Sequence, residues 1–321
     1  MEIKEWHDEF FDNAKKIKIY NAYEPYCLFE MRRYYENNNI ECIEASDTDL
    51  DVYLKYFPNI KYIYLNSYAT HLEEVNKLTK LKGISLCNNQ LKEIDENILE
   101  KIEYLEIYYF NKKQVDFAKF KSLKHLRIVN YPFDDLQISN ELLSLEIDDA
   151  PKLINLKEIN SARLVKLKIE NLKNLCRIEL DCPKLKSFYI YDSKKVTNFE
   201  SFLESCKLLQ SIVIISYSDK NANLQNLNFI SNLNCLEEFR TSFRILNGDL
   251  KPLLKLKEVI ISKFYRNYNL KDKDLPHATV TITEGNYGYR VKLDSLELGK
   301  EDPRITWIKW FNIQYLLPHT I

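Results

Sequence analysis

Residues 81–94 read Leu81-Lys-Gly-Ile84-Ser-Leu86-Cys-Asn-Asn89-Gln-Leu91-Lys-Glu-Ile94, with apolar side chains at positions 1, 4, 6, 11 and 14 of the stretch and Asn at position 9. The first three of these positions recur along the chain. They are Ile40/Ile43/Ala45, Ile60/Ile63/Leu65, Ile102/Leu105/Ile107, Leu123/Leu126/Ile128, Leu142/Leu145/Ile147, Leu164/Leu167/Ile169 and Leu185/Phe188/Ile190. Leu209/Ile212/Ile214, Leu236/Phe239/Thr241, Leu256/Val259/Ile261 and a degenerate Leu275/Ala278/Val280 complete the series. Twelve units result, whose starting residues lie 19 to 27 positions apart and cluster around 21. In an extended segment, positions 4 and 6 share a face, so each triplet predicts a short strand with two inward side chains. One such unit cannot bury its apolar face alone. Stacked neighbours can, and the stack makes one parallel sheet with a continuous apolar core behind it.

At every consensus position, residues 81–94 match the L-x-x-L-x-L-x-x-N-x-L pattern, and the chain resembles the leucine-rich-repeat family. The resemblance implies an α/β solenoid with a concave parallel sheet, a mixed convex side and capping elements at both ends. The family's Asn at position 9 is present only as Asn89; Tyr68, Phe110, Tyr131, Ala150, Leu172, Ser193 and Tyr217 stand there in other units. Irregular coils are expected from that loss. On the convex side, residues 70–78 and 198–208 carry helix-like spacing, and residues 172–180 read as a second short strand. The expected organisation is an N-terminal cap over residues 1–39, repeats over 40–276, and a hairpin with an aromatic cap over 277–321. In the first segment, helices over residues 5–11 and 25–37 flank a strand over residues 16–20. In the last, Gly285 and Gly288 mark a turn, and Trp307 and Trp310 cover the final repeat.

Composition narrows the chemistry. The 321 residues include only five glycines, which never form G-x-G, so phosphate-cradling loops are not expected. Forty-six basic and 47 acidic residues leave a formal net charge of -1, unsuited to coating nucleic acid or anionic lipid as a whole. Seven dispersed cysteines without a C-x-x-C pair read as buried free thiols in a reducing compartment. The N-terminus lacks an apolar leader core, and no apolar run reaches the ~20 residues of a spanning helix. A cytoplasmic, membrane-free protein is expected.

Catalytic constellations are absent from the reading. The histidines at 7, 71, 125, 277 and 319 never fall three or four apart, so no metal pair sits on one helix face. Neither Cys87, Cys176 nor Cys182 has a nearby base in sequence, so reactive thiols are not expected. Some bacterial repeat proteins append a cysteine-dependent ubiquitin ligase domain. Fewer than 50 residues follow Leu275, too few to hold one. The expectation is therefore a protein that is not an enzyme and uses no cofactor and no metal.

The concave face remains. Positions 3, 5 and 7 of each unit point into it, and tyrosine fills six of these 36 places: Tyr62, Tyr64, Tyr104, Tyr108, Tyr189 and Tyr191. The whole chain has 22 tyrosines in 321 residues, which makes the face about two and a half times enriched. Strand propensity and a tyrosine-rich composition account for part of this. Glu44, Glu106, Glu146 and Asp148 lie among the rings, extended by Asp149 and Asp192 just beyond their strands, with Arg127, Lys166 and Lys168 partly offsetting them. Tyrosine offers contact area at low entropic cost, and carboxylates suit a basic protein partner. Single-stranded nucleic acid would need a basic groove beneath the rings. The leading expectation is a non-catalytic protein-binding module, in its sharper form an inhibitor or immunity-type protein against a basic protein such as a nuclease toxin. The alternative is a secreted effector or adhesin that turns the same face on host proteins. Gly83, on a strand between the Tyr62/Tyr64 and Tyr104/Tyr108 pairs, is expected to leave a gap.

Overall fold

A computed structural model describes residues 15–19, 40–45, 50–54, 59–110, 113–196, 199–218, 222–271 and 274–275. Among the described residues, sixteen strands follow in chain order. The first eight are β1 (Lys15–Ile19), β2 (Ile40–Ala45), β3 (Tyr62–Leu65), β4 (Gly83–Cys87), β5 (Tyr104–Tyr108), β6 (His125–Val129), β7 (Ser144–Asp148) and β8 (Asn155–Leu156). The remainder are β9 (Lys166–Glu170), β10 (Arg177–Ile178), β11 (Ser187–Tyr191), β12 (Ser211–Ile215), β13 (Asn223–Leu224), β14 (Glu238–Thr241), β15 (Arg244–Ile245) and β16 (Glu258–Ile261).

Twelve of these form one sheet in the order β1-β2-β3-β4-β5-β6-β7-β9-β11-β12-β14-β16. Neighbouring strands pair in parallel throughout, so the chain must return behind the sheet after each one. The register follows the triplets. Ile63, Ile84, Leu105, Leu126, Leu145, Leu167, Phe188, Ile212, Phe239 and Val259 make one cross-strand row. Every member of that row is buried, and so is the parallel row that includes Ile107, Ile128, Ile147, Ile169 and Ile190. The return segments close the core from behind. They carry few helices, among them residues Phe199–Ser205 and Asn228–Ser231, with 3₁₀ turns such as Leu72–Lys77 and Lys251–Lys255. Two parallel pairs, β8 with β10 and β13 with β15, line the same side.

The helical and strand-like return segments expected at 70–78, 198–208 and 172–180 are thus present as a 3₁₀ turn, a helix and β10. β1 joins the main sheet by pairing with β2, so the sheet extends into the segment read as an N-terminal cap. The flanking helices expected at 5–11 and 25–37, the hairpin and the aromatic tail all lie outside the described residues.

The strand ends differ from expectation. Tyr109, Asn130, Asp149, Asn171 and Asp192 each follow a main-sheet strand directly, and each has a left-handed backbone with φ between 45° and 58°. This conformation turns the chain out of the sheet. It also aims the N–H groups of Asn130, Asp149, Asn171 and Asp192 at the last carbonyl of the next strand, at 3.0–3.1 Å. Asn and Asp tolerate that backbone better than other non-glycine residues. In the units that start at 81, 123, 142, 164 and 185 the Asn or Asp stands at position 8, while Ser193 at position 9 accepts from the Leu172 amide of the neighbouring unit at 3.0 Å. Asn88 is buried and donates to the Lys113 carbonyl at 2.9 Å, whereas Asn89 is exposed.

Candidate functional site

The side of the sheet facing away from the core is built by three cross-strand rows. The first contains Tyr62, Gly83, Tyr104, His125, Ser144, Lys166 and Ser187. Gly83 leaves no gap there. The Tyr62 and Tyr104 rings reach across β4 and meet edge to face with centroids 5.7 Å apart. Tyr64 and Tyr108 do the same in parallel at 6.0 Å. β4 contributes Gly83, Ser85 and Cys87 on this face, and their small size lets rings from β3 and β5 close over them. Tyr108 is buried in consequence, and its hydroxyl donates to the Leu65 carbonyl. On the other side of Tyr104, the His125 imidazole stacks in parallel at 4.5 Å. Burial pushes the His125 pKa down to about 4, and the Lys124 ammonium adds to the effect, so the ring is neutral at pH 7.

The second row reads Tyr64, Ser85, Glu106, Arg127, Glu146, Lys168 and Tyr189. Charge alternates across four successive strands in its middle. Arg127 donates from Nη1 to Glu106 Oε1 at 2.9 Å, and Ser85 donates to Glu106 Oε2 at 3.0 Å. Arg127 also lies 3.9 Å from both Glu146 and Asp148. From the first row, Lys166 donates to Glu146 at 2.7 Å, and its side chain is only 2% exposed. Burial lifts the Glu106 carboxyl above its usual range, with Arg127 opposing. Burial would raise Glu146 too and is the largest single influence, but Lys166, with Lys168 and Arg127 adding to it, outweighs it and holds the group below its usual range. Such a pair offsets the large cost of taking each charge out of water.

The third row lies at the strand termini, with Val129, Asp148, Glu170, Tyr191 and Ile215 in register and Tyr108 opposite Cys87. Asp148 is raised by burial and by the like charges of Glu170 and Asp149. Lys168 pairs with Glu170 at 3.2 Å while its Nζ stands 5.6 Å from the Tyr191 ring centroid. Lys166 similarly lies 5.8 Å from the Tyr189 centroid. Asp192, just past β11, accepts at Oδ1 from the Ser216 hydroxyl and from the Tyr217 and Ser218 amides, each at 2.9 Å. The Ser218 hydroxyl adds a fourth bond at 2.7 Å. That clamp sets the Tyr217 ring parallel to Tyr191, with centroids 6.4 Å apart.

All nine residues singled out from the sequence therefore lie on one face, but they divide in two. Tyr62, Tyr64, Tyr104, Asp148, Tyr189 and Tyr191 are partly exposed. Glu106, Tyr108 and Glu146 are buried and already engaged, so they support the surface instead of presenting it. The acidic strip inferred along the centre is an internally neutralised ladder. The net carboxylate character shifts to the strand ends, at Asp148, Asp149, Glu170 and Asp192. Sequence reasoning overlooked Asn130, Asn171 and the Asp192 clamp, although aligning the units at position 8 would have shown the Asn/Asp series.

Among the described residues, no group of three or more His, Cys, Asp or Glu side chains is arranged to hold a metal ion. Cys87, Cys182 and Cys206 are buried free thiols, the latter two pushed by burial to about 12 and about 11. Burial of all the thiols does not hold, since Cys176 is partly exposed and Cys235 exposed. No described helix is long and apolar enough to cross a membrane. No protein-family model matches the chain, and no curated protein matches it in sequence.

Proposed function

We propose that the chain is a cytoplasmic leucine-rich-repeat solenoid that performs no catalysis and binds another protein across the concave face of its sheet. The observation that carries this reading is the pair of tyrosine groups on that face. Tyr62, Tyr64 and Tyr104 stand on one side and Tyr189 and Tyr191 on the other, all partly exposed on paired strands. Four strand steps separate Tyr104 from Tyr189, roughly 19 Å at about 4.8 Å per step. Between them lies a charge ladder too buried and too fully paired to offer a reaction centre, but well suited to hold the rings rigid. Rings so held lose little entropy on contact, the property that concentrates binding energy at interfaces.

The partner has a basic surface, because the exposed or partly exposed acids beside the rings, Asp148, Asp149, Glu170 and Asp192, outnumber the partly exposed Arg127 and Lys168. An inhibitor or immunity-type protein that covers the basic site of a nuclease toxin fits this chemistry. Affinity capture from the native cell tests the reading, with the wild-type chain and a folded Tyr62→Ala/Tyr104→Ala/Tyr189→Ala variant as baits. A stoichiometric basic partner retained by the wild type and lost by the variant is the expected result. Equal retention by both baits would overturn it.

A further inference from the structure

Among the described residues, seven large hydrophobic side chains are well exposed: Tyr68, Tyr109, Ile154, Leu208, Tyr217, Leu246 and Leu254. The four aliphatic ones lie on return segments. The three tyrosines do not scatter with them. Tyr68, Tyr109 and Tyr217 follow the C-terminal ends of β3, β5 and β12 by one to three residues, which puts all three along one edge of the main sheet. None of them belongs to the face rows described above.

Tyr109 is 63% exposed and occupies the left-handed position that Asn or Asp fills after β6, β7, β9 and β11. Its ring rests edge to face on Tyr108 at 5.4 Å, so its direction is set by a buried neighbour. Tyr217 is 59% exposed and is set just as firmly, by the Asp192 clamp and the parallel Tyr191 ring. Between them, on the same edge, come Asp148 at the end of β7, Asp149 just past it, and Glu170 at the end of β9. Five strand steps separate Tyr109 from Tyr217, about 24 Å at about 4.8 Å each.

Building on the reading of the chain as a binder of a basic protein, we propose that this edge anchors the partner. Tyr109 and Tyr217 act as the two aromatic anchors, and Asp148, Asp149 and Glu170 receive arginine side chains between them. Arginine fits better than lysine because its planar guanidinium can stack on a tyrosine face and bond a carboxylate with two N–H groups at once. The Tyr191 face already accepts the Lys168 ammonium, which shows that rings on this edge attract cations. Asp148 stands beside the like charges of Glu170 and Asp149, and burial together with these charges keeps its carboxyl above the usual range although Arg127 opposes them, so a further cation is favoured there. An incoming guanidinium supplies it.

The test uses the full chain and two synthetic peptides, one alternating arginine with glycine and one alternating lysine with glycine, titrated calorimetrically. The arginine peptide should bind saturably and the lysine peptide several-fold more weakly. Tyr109→Ala with Tyr217→Ala should weaken arginine-peptide binding about tenfold, the loss of roughly one anchor contact. Asp149→Lys with Glu170→Lys should abolish it, and Ile154→Ala with Leu254→Ala, on the return segments, should change it less than about twofold; Tyr62→Ala with Tyr104→Ala is titrated in parallel to separate the edge from the face. Circular dichroism confirms that each variant folds. No binding of the arginine peptide to the wild type, equal binding of both peptides, or undiminished binding to the edge variants would overturn the proposal. Loss of binding confined to the Tyr62/Tyr104 variant would remove the edge assignment while leaving the broader reading of the face intact.

Discussion

Lowering the pH from 7 to 4 should weaken the fold through one imidazole, that of His125. The ring stacks on Tyr104 of β5, with Ser144 and Glu146 on β7, Lys166 on β9 and the exposed Lys124–Glu103 pair as its charged or polar surroundings. Burial and Lys124 bring its pKa from the ordinary 6.5 down to about 4. In the unfolded chain the imidazole takes up its proton as the pH falls through 6.5. In the folded chain it resists until about 4. The neutral ring's contribution is therefore complete above pH 6.5 and is lost progressively towards pH 4. At about 1.4 kcal/mol per unit, a shift of roughly 2.5 units is worth about 3 kcal/mol. Two measurements check this. NMR titration of the full chain, with His125→Phe to assign the signal, should find one histidine titrating far below 6.5. Chemical denaturation of both proteins at several pH values should show the wild type losing about 3 kcal/mol relative to the variant between pH 7 and pH 4. Carboxylates such as Glu103, held low chiefly by Lys124, also titrate in this window, and the comparison with the variant largely cancels them. An imidazole that titrates at 6.5 or above, or a stability difference that stays flat with pH, would refute the reasoning.

Three further outcomes follow from the same packing. Lys166→Met should cost about 3–5 kcal/mol by stranding Glu146, and Lys166→Met with Glu146→Leu should recover most of that loss in denaturant titrations. Gly248→Ala should destabilise by about 2 kcal/mol or more, read from the same titrations, because left-handed backbone disfavours a side chain. A Cβ at residue 248, where φ is 70°, would also stand 2.2 Å from the Asn267 carbonyl oxygen. Asp192→Ala removes the acceptor of four hydrogen bonds, so the Tyr217 and Ser218 amides should exchange with solvent at least about tenfold faster.

The strands were legible because their cause is local and periodic: two inward aliphatic side chains per unit, repeated at a nearly constant interval. The register was legible too, since aligning Leu105, Leu126, Leu145 and Leu167 places Glu106, Arg127, Glu146 and Lys168 in one row. What escaped the reading was depth. Whether a carboxylate such as Glu146 meets solvent or a neighbouring ammonium depends on how closely long side chains crowd the face, and a list of outward positions treats them all alike. The closure over Gly83 escaped for a related reason: it takes two large residues, Tyr62 and Tyr104, reaching across a third strand, a relation between units and not within one. The left-handed strand ends were hidden by attention to position 9, although Asn130, Asp149, Asn171 and Asp192 stood in the adjacent column.

The alternating ladder also imposes a parity rule on how this chain can change length. Units of this kind are natural points for gain or loss, since each contacts mainly its neighbours. Excising the unit of β6 would bring Glu106 opposite Glu146, and excising that of β7 would bring Arg127 opposite Lys168, like charges in a partly buried row. Excising both together would bring Glu106 opposite Lys168, and the row would close again. Across this part of the sheet, copies can be lost in pairs but not singly. The stretch from β5 to β9 therefore acts as a ruler that holds the two tyrosine groups a set number of strands apart.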